Sequence, residues 1–284
     1  MEFLNEYQKK LFPYAYNILG SVDDALDAVQ DVMSKFEAIA QKGFQNEIGY
    51  LIRSVVNTAI NIKQRNQRLR HGVWLPEPIS TDRADKNIER EEIIGYSMMV
   101  LLEHLNPKER AVFILKETFD YAHEEIADVL SITVNNSRKL LSRAKSTLQT
   151  HNLQRSPTEY SFNNSIDLQE YIDIIKVGDV KALESKLNKD IVLIADGGKN
   201  VSVVRQFTSG IENVIKLITH LYDTYHKNYS YKTGIVNHQS AILFYQRQLL
   251  VNCQVFEVNG DQITGIYSIV DPAKLKKLAA TFPG

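Results

Sequence analysis

Residues 123–148 read HEEIADVLSITVNNSRKLLSRAKSTL. Ile126, Ala127 and Leu130 recur at helical spacing and define the inward face of a short helix. Ser131-Ile132-Thr133 makes a three-residue turn, and Thr133 is placed to N-cap a second helix. In that second half Leu140, Leu141, Ala144 and Leu148 form one stripe, with Arg138, Lys139, Ser142, Arg143 and Lys145 largely opposite. A recognition helix needs this build. One face packs on the preceding helix, its early residues reach base edges, and the remainder hold phosphates. Asn135 and Asn136 suit adenine edges, and Arg138 suits guanine. Spacing alone leaves an ordinary helical hairpin with a basic face equally open.

The rest of the chain favours a polyanion. Its 284 residues exceed one average domain and predict two or three. Net charge is −1, which by itself says nothing of nucleic acid. The distribution does. No Asp or Glu lies between Glu47 and Glu77, where Arg53, Lys63, Arg65, Arg68 and Arg70 sit. None lies between Asp128 and Glu159, where Arg138, Lys139, Arg143, Lys145 and Arg155 sit. One such run reads best as a solvated helix face; two without compensating acid read as an electrostatic footprint. Hydrophobic residues make up 44% and charged residues 24%, as in globular proteins. No apolar run of about eighteen residues appears, the start MEFLNEYQKKLF lacks a signal-peptide core, and a cytoplasmic location is expected. The single cysteine, Cys253, excludes an internal disulfide and a multi-cysteine metal site, and it reads as a small buried residue of a strand. No metal or cofactor site is expected.

Residues 1–71 read as helices. Phe3, Tyr7, Leu11, Tyr14 and Ile18 keep helical spacing, with Pro13 as a candidate kink. Gly20-Ser21 offers a stop and an N-cap. Val22, Leu26, Val29, Met33 and Phe36 predict the inner face of the next helix, and Asp24, Asp27, Gln30 and Asp31 its outer face. A third helix is expected from about Asn46. Residues 72–90 form a proline-bearing linker containing WLPEP at 74–78, and 91–152 are again helical, with Asn106-Pro107 opening one helix. A second polar linker spans 153–165. Residues 166–284 change character to two helices, a strand, a helix and then four strands, with Val258-Asn259-Gly260-Asp261 as a tight hairpin. The expected fold class is multidomain: two all-α domains, the second with the helix-turn-helix, then an α+β domain.

The helix-turn-helix segment resembles the fourth conserved region of bacterial sigma factors of the extracytoplasmic-function (ECF) group, which reads the minus-thirty-five promoter element. DDALDAVQDVMSKF is similar to the helix of the second conserved region that docks on the β′ clamp helices of RNA polymerase. YLIRSVVNTAINIKQRNQRLR is similar to the helix that recognises and opens the minus-ten element. The resemblance covers about residues 1–152, in family order. It implies core RNA polymerase (β′ clamp helices and β subunit) and promoter DNA as partners, with no membrane. It places Asp24, Asp27, Gln30 and Asp31 at the polymerase, and Arg53, Asn57, Asn61, Lys63, Arg65, Arg68 and Arg70 at the minus-ten region. Strand opening needs phosphate-binding cations and polar side chains for flipped bases, which these residues supply.

Residues beyond 152 resemble the SnoaL-like fold, a cone-shaped barrel of curved sheet closed by helices, carried by one ECF subgroup. That subgroup is marked by WLPEP in the linker, a glycine-rich turn in the extension and an NPDKL-like stretch near the end. Here these read Trp74-Leu75-Pro76-Glu77-Pro78, Asp196-Gly197-Gly198-Lys199 (one glycine shorter) and Asp271-Pro272-Ala273-Lys274-Leu275. The prolines stiffen the linker, and the tryptophan offers a large anchor, expected to dock the linker on the extension near Asp196–Lys199, with capping of the core of its own domain as the alternative. The resemblance implies a non-enzymatic sigma factor regulated in cis, in place of a separate anti-sigma protein. Asp196, His220 and His238 are weak candidates for a pocket, and a small-molecule ligand is a further partner such a fold admits. The rival readings are a ligand-sensing one-component helix-turn-helix regulator and a pocket enzyme tethered to DNA-binding helices.

Overall fold

The computed structural model describes residues 2–38, 46–69, 72–81, 92–150, 166–199 and 201–282. They group into two compact units, one drawn from 1–71 and 85–160, the other from 72–84 and 161–284. Arg70 and the second linker, 153–165, lie outside the described residues.

In the first unit, α1 (Glu2–Leu19), α2 (Val22–Glu37) and α3 (Glu47–Gln67) pack together. Pro13 sits inside α1 without ending it. Gly20 does end it, at φ +71°, and Ser21 then caps α2 by accepting from the Asp24 amide. Asn46 caps α3 in the same way through Gly49. The buried face of α2 is Val22, Ala25, Ala28, Val29, Val32, Met33 and Phe36. Leu26, expected inside, is instead exposed, because the smaller Ala25 and Ala28 face the neighbouring helices. The second set is α4 (Tyr96–Leu101), α5 (Pro107–Glu117), α6 (His123–Leu130) and α7 (Val134–Thr150). Asn106 and Glu109 form a capping box around Pro107 at the start of α5.

Buried polar contacts join the two helix sets. Lys63 of α3 donates to Glu103 Oε1 and Oε2 at 2.6 and 2.8 Å and to the Leu19 carbonyl at 3.0 Å. Arg110 of α5 pairs with the same carboxylate, and its Nε donates to the Asn17 carbonyl at 2.9 Å. Lys63 and Arg110 are both fully buried. One carboxylate shared by two desolvated cations is costly to break from either side.

In the second unit, α8 (Leu168–Val177) and α9 (Val180–Lys186) precede β1 (Leu187–Asp196), β2 (Phe207–Ser209) and α10 (Ile211–Thr224). Strands β3 (Ser230–Val236), β4 (Gln239–Gln246), β5 (Leu249–Asn259) and β6 (Gln262–Ile269) follow, then α11 (Pro272–Thr281). The sheet order is β2-β1-β6-β5-β4-β3, with β1 parallel to β6 and the other pairs antiparallel. It is a curved open sheet, with β2 and β3 as edges, rather than a closed barrel. Register shifts at Leu187/Val192, Phe244/Tyr245 and Glu257/Val258 bend the strands. The core joins Tyr171 and Ile172 of α8 and Val214, Ile215 and Ile218 of α10 to Ile191, Leu193, Phe244, Phe256 and Ile266 of the sheet. Gly260, at φ +59°, turns the β5–β6 hairpin where expected. Two elements had no counterpart among the expected ones: the three-residue β2 and helix α11.

Candidate nucleic-acid interface and linker clamp

Helix α6 ends at Ser131, which takes the left-handed conformation (φ +53°) while the Ile132 amide reaches back to the Ala127 carbonyl at 3.0 Å. Thr133 Oγ1 accepts from the Asn136 amide at 3.2 Å and starts α7. Ser137, Leu140, Ala144 and Leu148 are buried, while Leu141 is only half-buried. Asn135, Asn136, Arg138, Lys139, Arg143 and Lys145 are all exposed. Two of these cations have local partners: Arg138 lies 3.6 Å from Glu124, and Lys145 lies 2.7 Å from Glu117. Such exposed pairs are weak and yield readily to a phosphate.

The α3 residues divide. Asn61, Arg65 and Arg68 are exposed. Arg53 donates to Ser131 Oγ at 2.7 Å, and Asn57 Nδ2 donates to the Val129 carbonyl at 2.8 Å, so both are engaged by the end of α6. Lys63 is a correction. It is 0% exposed and neutralises Glu103, so in this arrangement it presents no charge to a phosphate. On α2, Asp27, Gln30 and Asp31 are exposed beside Leu26, whereas Asp24 accepts from Asn66 Nδ2 at 2.8 Å.

Residues 72–81 belong to the second unit. Asp196 closes β1, and its Oδ1 accepts from the Gly198 amide at 2.8 Å. Its Oδ2 accepts the Leu75 amide at 2.7 Å and the Lys274 ammonium at 2.5 Å. Lys274 also donates to the Leu75 carbonyl at 2.6 Å and stands 4.4 Å over the Trp74 ring. Leu75 is therefore held at both backbone groups, and residues 75–80 are buried while Trp74 is half-buried. A second tether lies at Ile79–Thr81. Ser80 bridges to Val236 of β3, Ile79 exchanges hydrogen bonds with Asn237, and Thr81 Oγ1 accepts the His238 amide at 2.8 Å. His238 thus acts through its backbone at φ +61°. Gly197 and Gly198 are required sterically, since a Cβ at Gly198 (φ +63°) would lie 2.2 Å from Asp271 Oδ2, and one at Gly197 would lie 1.9 Å from the Val201 carbonyl. Asp271 caps α11 through the Ala273 amide, Pro272 occupies its first turn, and Leu275 is buried. Lys199 is exposed.

The second unit also holds a cavity of about 560 Å³ between the sheet, α10 and α11. His226 lines it, whereas Asp196, His220 and His238 do not. Burial lowers the His226 imidazole to about 4. His226 stacks on Phe244 at 4.2 Å, and its Nε2 lies 3.5 Å from Asn252 Nδ2. Asn252, a polar residue that follows the apolar Leu249-Leu250-Val251 start of β5, was the available signal for this site.

A helix-turn-helix with an outward basic face, following a three-helix set with an acidic outer helix, is the arrangement that a resemblance to sigma factors implies. The family model for sigma-70 region 4 matches residues 97–148. ECF RNA polymerase sigma factor SigJ of Mycobacterium tuberculosis is 25% identical over 226 residues, 77% of this chain and 72% of that protein. Probable ECF sigma factor SigI of the same species is 24% identical over 290 residues, 96% of this chain and 94% of its own. The crystal structure of M. tuberculosis SigJ superposes with a TM-score of 0.74 at 22% identity, covering 97% of each chain. Along most of its length the chain is thus similar to sigma factors of the extracytoplasmic-function group, with residues 97–148 matching sigma-70 region 4.

Proposed function

We propose that this sigma factor binds core RNA polymerase through the exposed acidic face of α2, with the β subunit as a further contact. Helix α7 then addresses the minus-thirty-five element, and the exposed residues of α3 address the minus-ten element. The chain acts as an initiation factor and not as a catalyst. The observation that carries the reading is the division of α7, with Ser137, Leu140, Ala144 and Leu148 inside and Asn135, Asn136, Arg138, Lys139, Arg143 and Lys145 outside. A helix that only packed would not need six exposed polar residues ordered as base-reading groups first and cations after.

We further propose regulation in cis through the clamp on residues 74–81, without a separate anti-sigma protein. Its support is the paired capture of the Leu75 amide and carbonyl by Asp196 and Lys274. The division of labour into 1–71, 72–90, 91–152 and 166–284 belongs to the same reading. Run-off transcription with core polymerase tests it. Full-length protein should initiate at a cognate promoter, and Arg143→Glu should lower promoter affinity about tenfold or more while polymerase binding is kept. Affinity should also fall steeply with salt. Salt-independent binding, or a variant that binds promoter as wild type does, removes α7 from the interface.

A further inference from the structure

The cavity in the SnoaL-like unit has a chemistry specific enough to name its occupant. Its walls are aliphatic, including Leu193, Leu217, Leu250 and Val270, and its volume of about 560 Å³ is that of a small-molecule site. Val201, Val204, Tyr225 and Leu249 all line it, and all four are exposed large hydrophobic side chains. Apolar surface left in water around one opening is the usual mark of a site that an apolar partner covers.

The interior carries one polar spot. Asn252 and Ser268 are 5% and 4% exposed, and Ser268 Oγ donates to Asn252 Oδ1 at 3.0 Å. The Asn252 amide nitrogen carries two N–H groups; one faces His226 Nε2 at 3.5 Å, and the other is a donor for a guest. The imidazole there is neutral near pH 7, so the spot carries no charge. Among the described residues, no Asp or Glu lines the cavity, and its exposed cations are Arg205 and Lys276. A guest with a positive charge would meet two cations and no anion.

We propose that this cavity binds a lipophilic molecule with one neutral oxygen acceptor, a ketone or an alcohol, seated with its oxygen on the Asn252–Ser268 pair. The site is connected to the linker clamp by two continuous elements. Ala195 of β1 lines the cavity and its neighbour Asp196 holds Leu75; Leu275 of α11 lines the cavity and its neighbour Lys274 holds Leu75 and Trp74. Occupancy should therefore be felt at Trp74, a step that rests on the regulatory reading above, whereas binding itself does not.

The test uses the full chain and Nile red, a neutral lipophilic ketone whose emission rises on leaving water. One equivalent should bind and be displaced by 2-undecanone but not by undecylammonium. Ala279→Trp, which fills the opening from α11, should abolish binding. Asn252→Leu should weaken Nile red and 2-undecanone about tenfold, the loss of one hydrogen bond. Circular dichroism and thermal unfolding establish that both variants are folded, and Leu217→Trp, which fills the cavity from α10, is the alternative block should Ala279→Trp not fold. Absence of saturable binding, binding indifferent to the blocking variant, or equal competition by undecylammonium would overturn the proposal. Binding as expected, with Trp74 emission and transcription unchanged by 2-undecanone, would keep the site and sever its link to the clamp.

Discussion

Gly198 shows how single atoms decide this structure. Its φ of +63° disfavours any side chain, and a Cβ would come 2.2 Å from Asp271 Oδ2, in the carboxylate that caps α11. Gly198→Ala should therefore destabilise the second unit by about 2–4 kcal/mol, the sum of a left-handed backbone penalty and a displaced cap. Thermal unfolding reads this, and a change below about 0.5 kcal/mol would show that the turn relaxes freely. Cys253 is the converse case. It is fully buried opposite Leu243 and Ile269, and burial raises its thiol well above the usual range. It should resist alkylation at pH 8 in the native protein and react at the rate of unfolding. His226 carries a pH dependence. Its folded value of about 4 lies below the ordinary value of 6.5, so the folded state disfavours its proton. Its contribution is fully present above about pH 6.5 and is lost as pH falls towards 4, a span on the order of 3 kcal/mol. His226→Phe should flatten the acid limb of the stability profile, and an unaltered slope would assign that limb to other groups.

At the scale of elements, legibility followed the locality of the signal. Helices α2, α3, α5 and α7 were readable because Ser21, Asn46, Asn106 and Thr133 cap them within three residues of an apolar period. Helix α11 was missed although Asp271-Pro272 is an N-cap followed by a first-turn proline, because the stretch read as a motif rather than a helix start. Strand β2 is three residues long and is defined by its pairing with β1, which no local pattern encodes. The same limit applies to Lys63. On a helix drawn alone it belongs to a basic run, and its burial depends on Glu103 and Arg110, 40 and 47 positions away. Glu103→Gln should cost about 3–5 kcal/mol, since two buried cations lose their carboxylate, and denaturant unfolding measures it. Helix α2 makes the matching functional case. Leu26 stands exposed among Asp27, Gln30 and Asp31, an apolar centre within an acidic rim. Charge reversal at Asp27 and Asp31 together should reduce recovery of core polymerase by several-fold without loss of helicity, and undiminished recovery would make this face merely solvated.

For the molecule as a whole, the question is whether the clamp controls initiation. Residues 70–91 are the covalent link between α3 and the helices that present α7. With 72–81 held against the second unit, that part of the link cannot lengthen. Released, its ten residues supply up to about 35 Å of extended chain. A promoter fixes the separation of its two elements, so the length available between α3 and α7 bears directly on whether both can be engaged. Lys274 is the residue to alter, because Asp196 keeps the amides of Leu75 and Gly198 when the ammonium is gone, and no buried charge is left without donors. Lys274→Met removes the bond to the Leu75 carbonyl and the cation over Trp74 together. Contacts worth about 2–3 kcal/mol shift a two-state equilibrium by roughly 30- to 150-fold. Lys274→Met and Trp74→Ala should therefore each change promoter output several-fold relative to wild type at equal protein abundance. In Lys274→Met, acrylamide quenching of the single tryptophan should increase, which separates linker release from a general loss of folding when unfolding curves match. Equal output from all three proteins, with unchanged quenching in Lys274→Met, would leave residues 72–81 as a structural strap and remove the regulatory reading of the clamp.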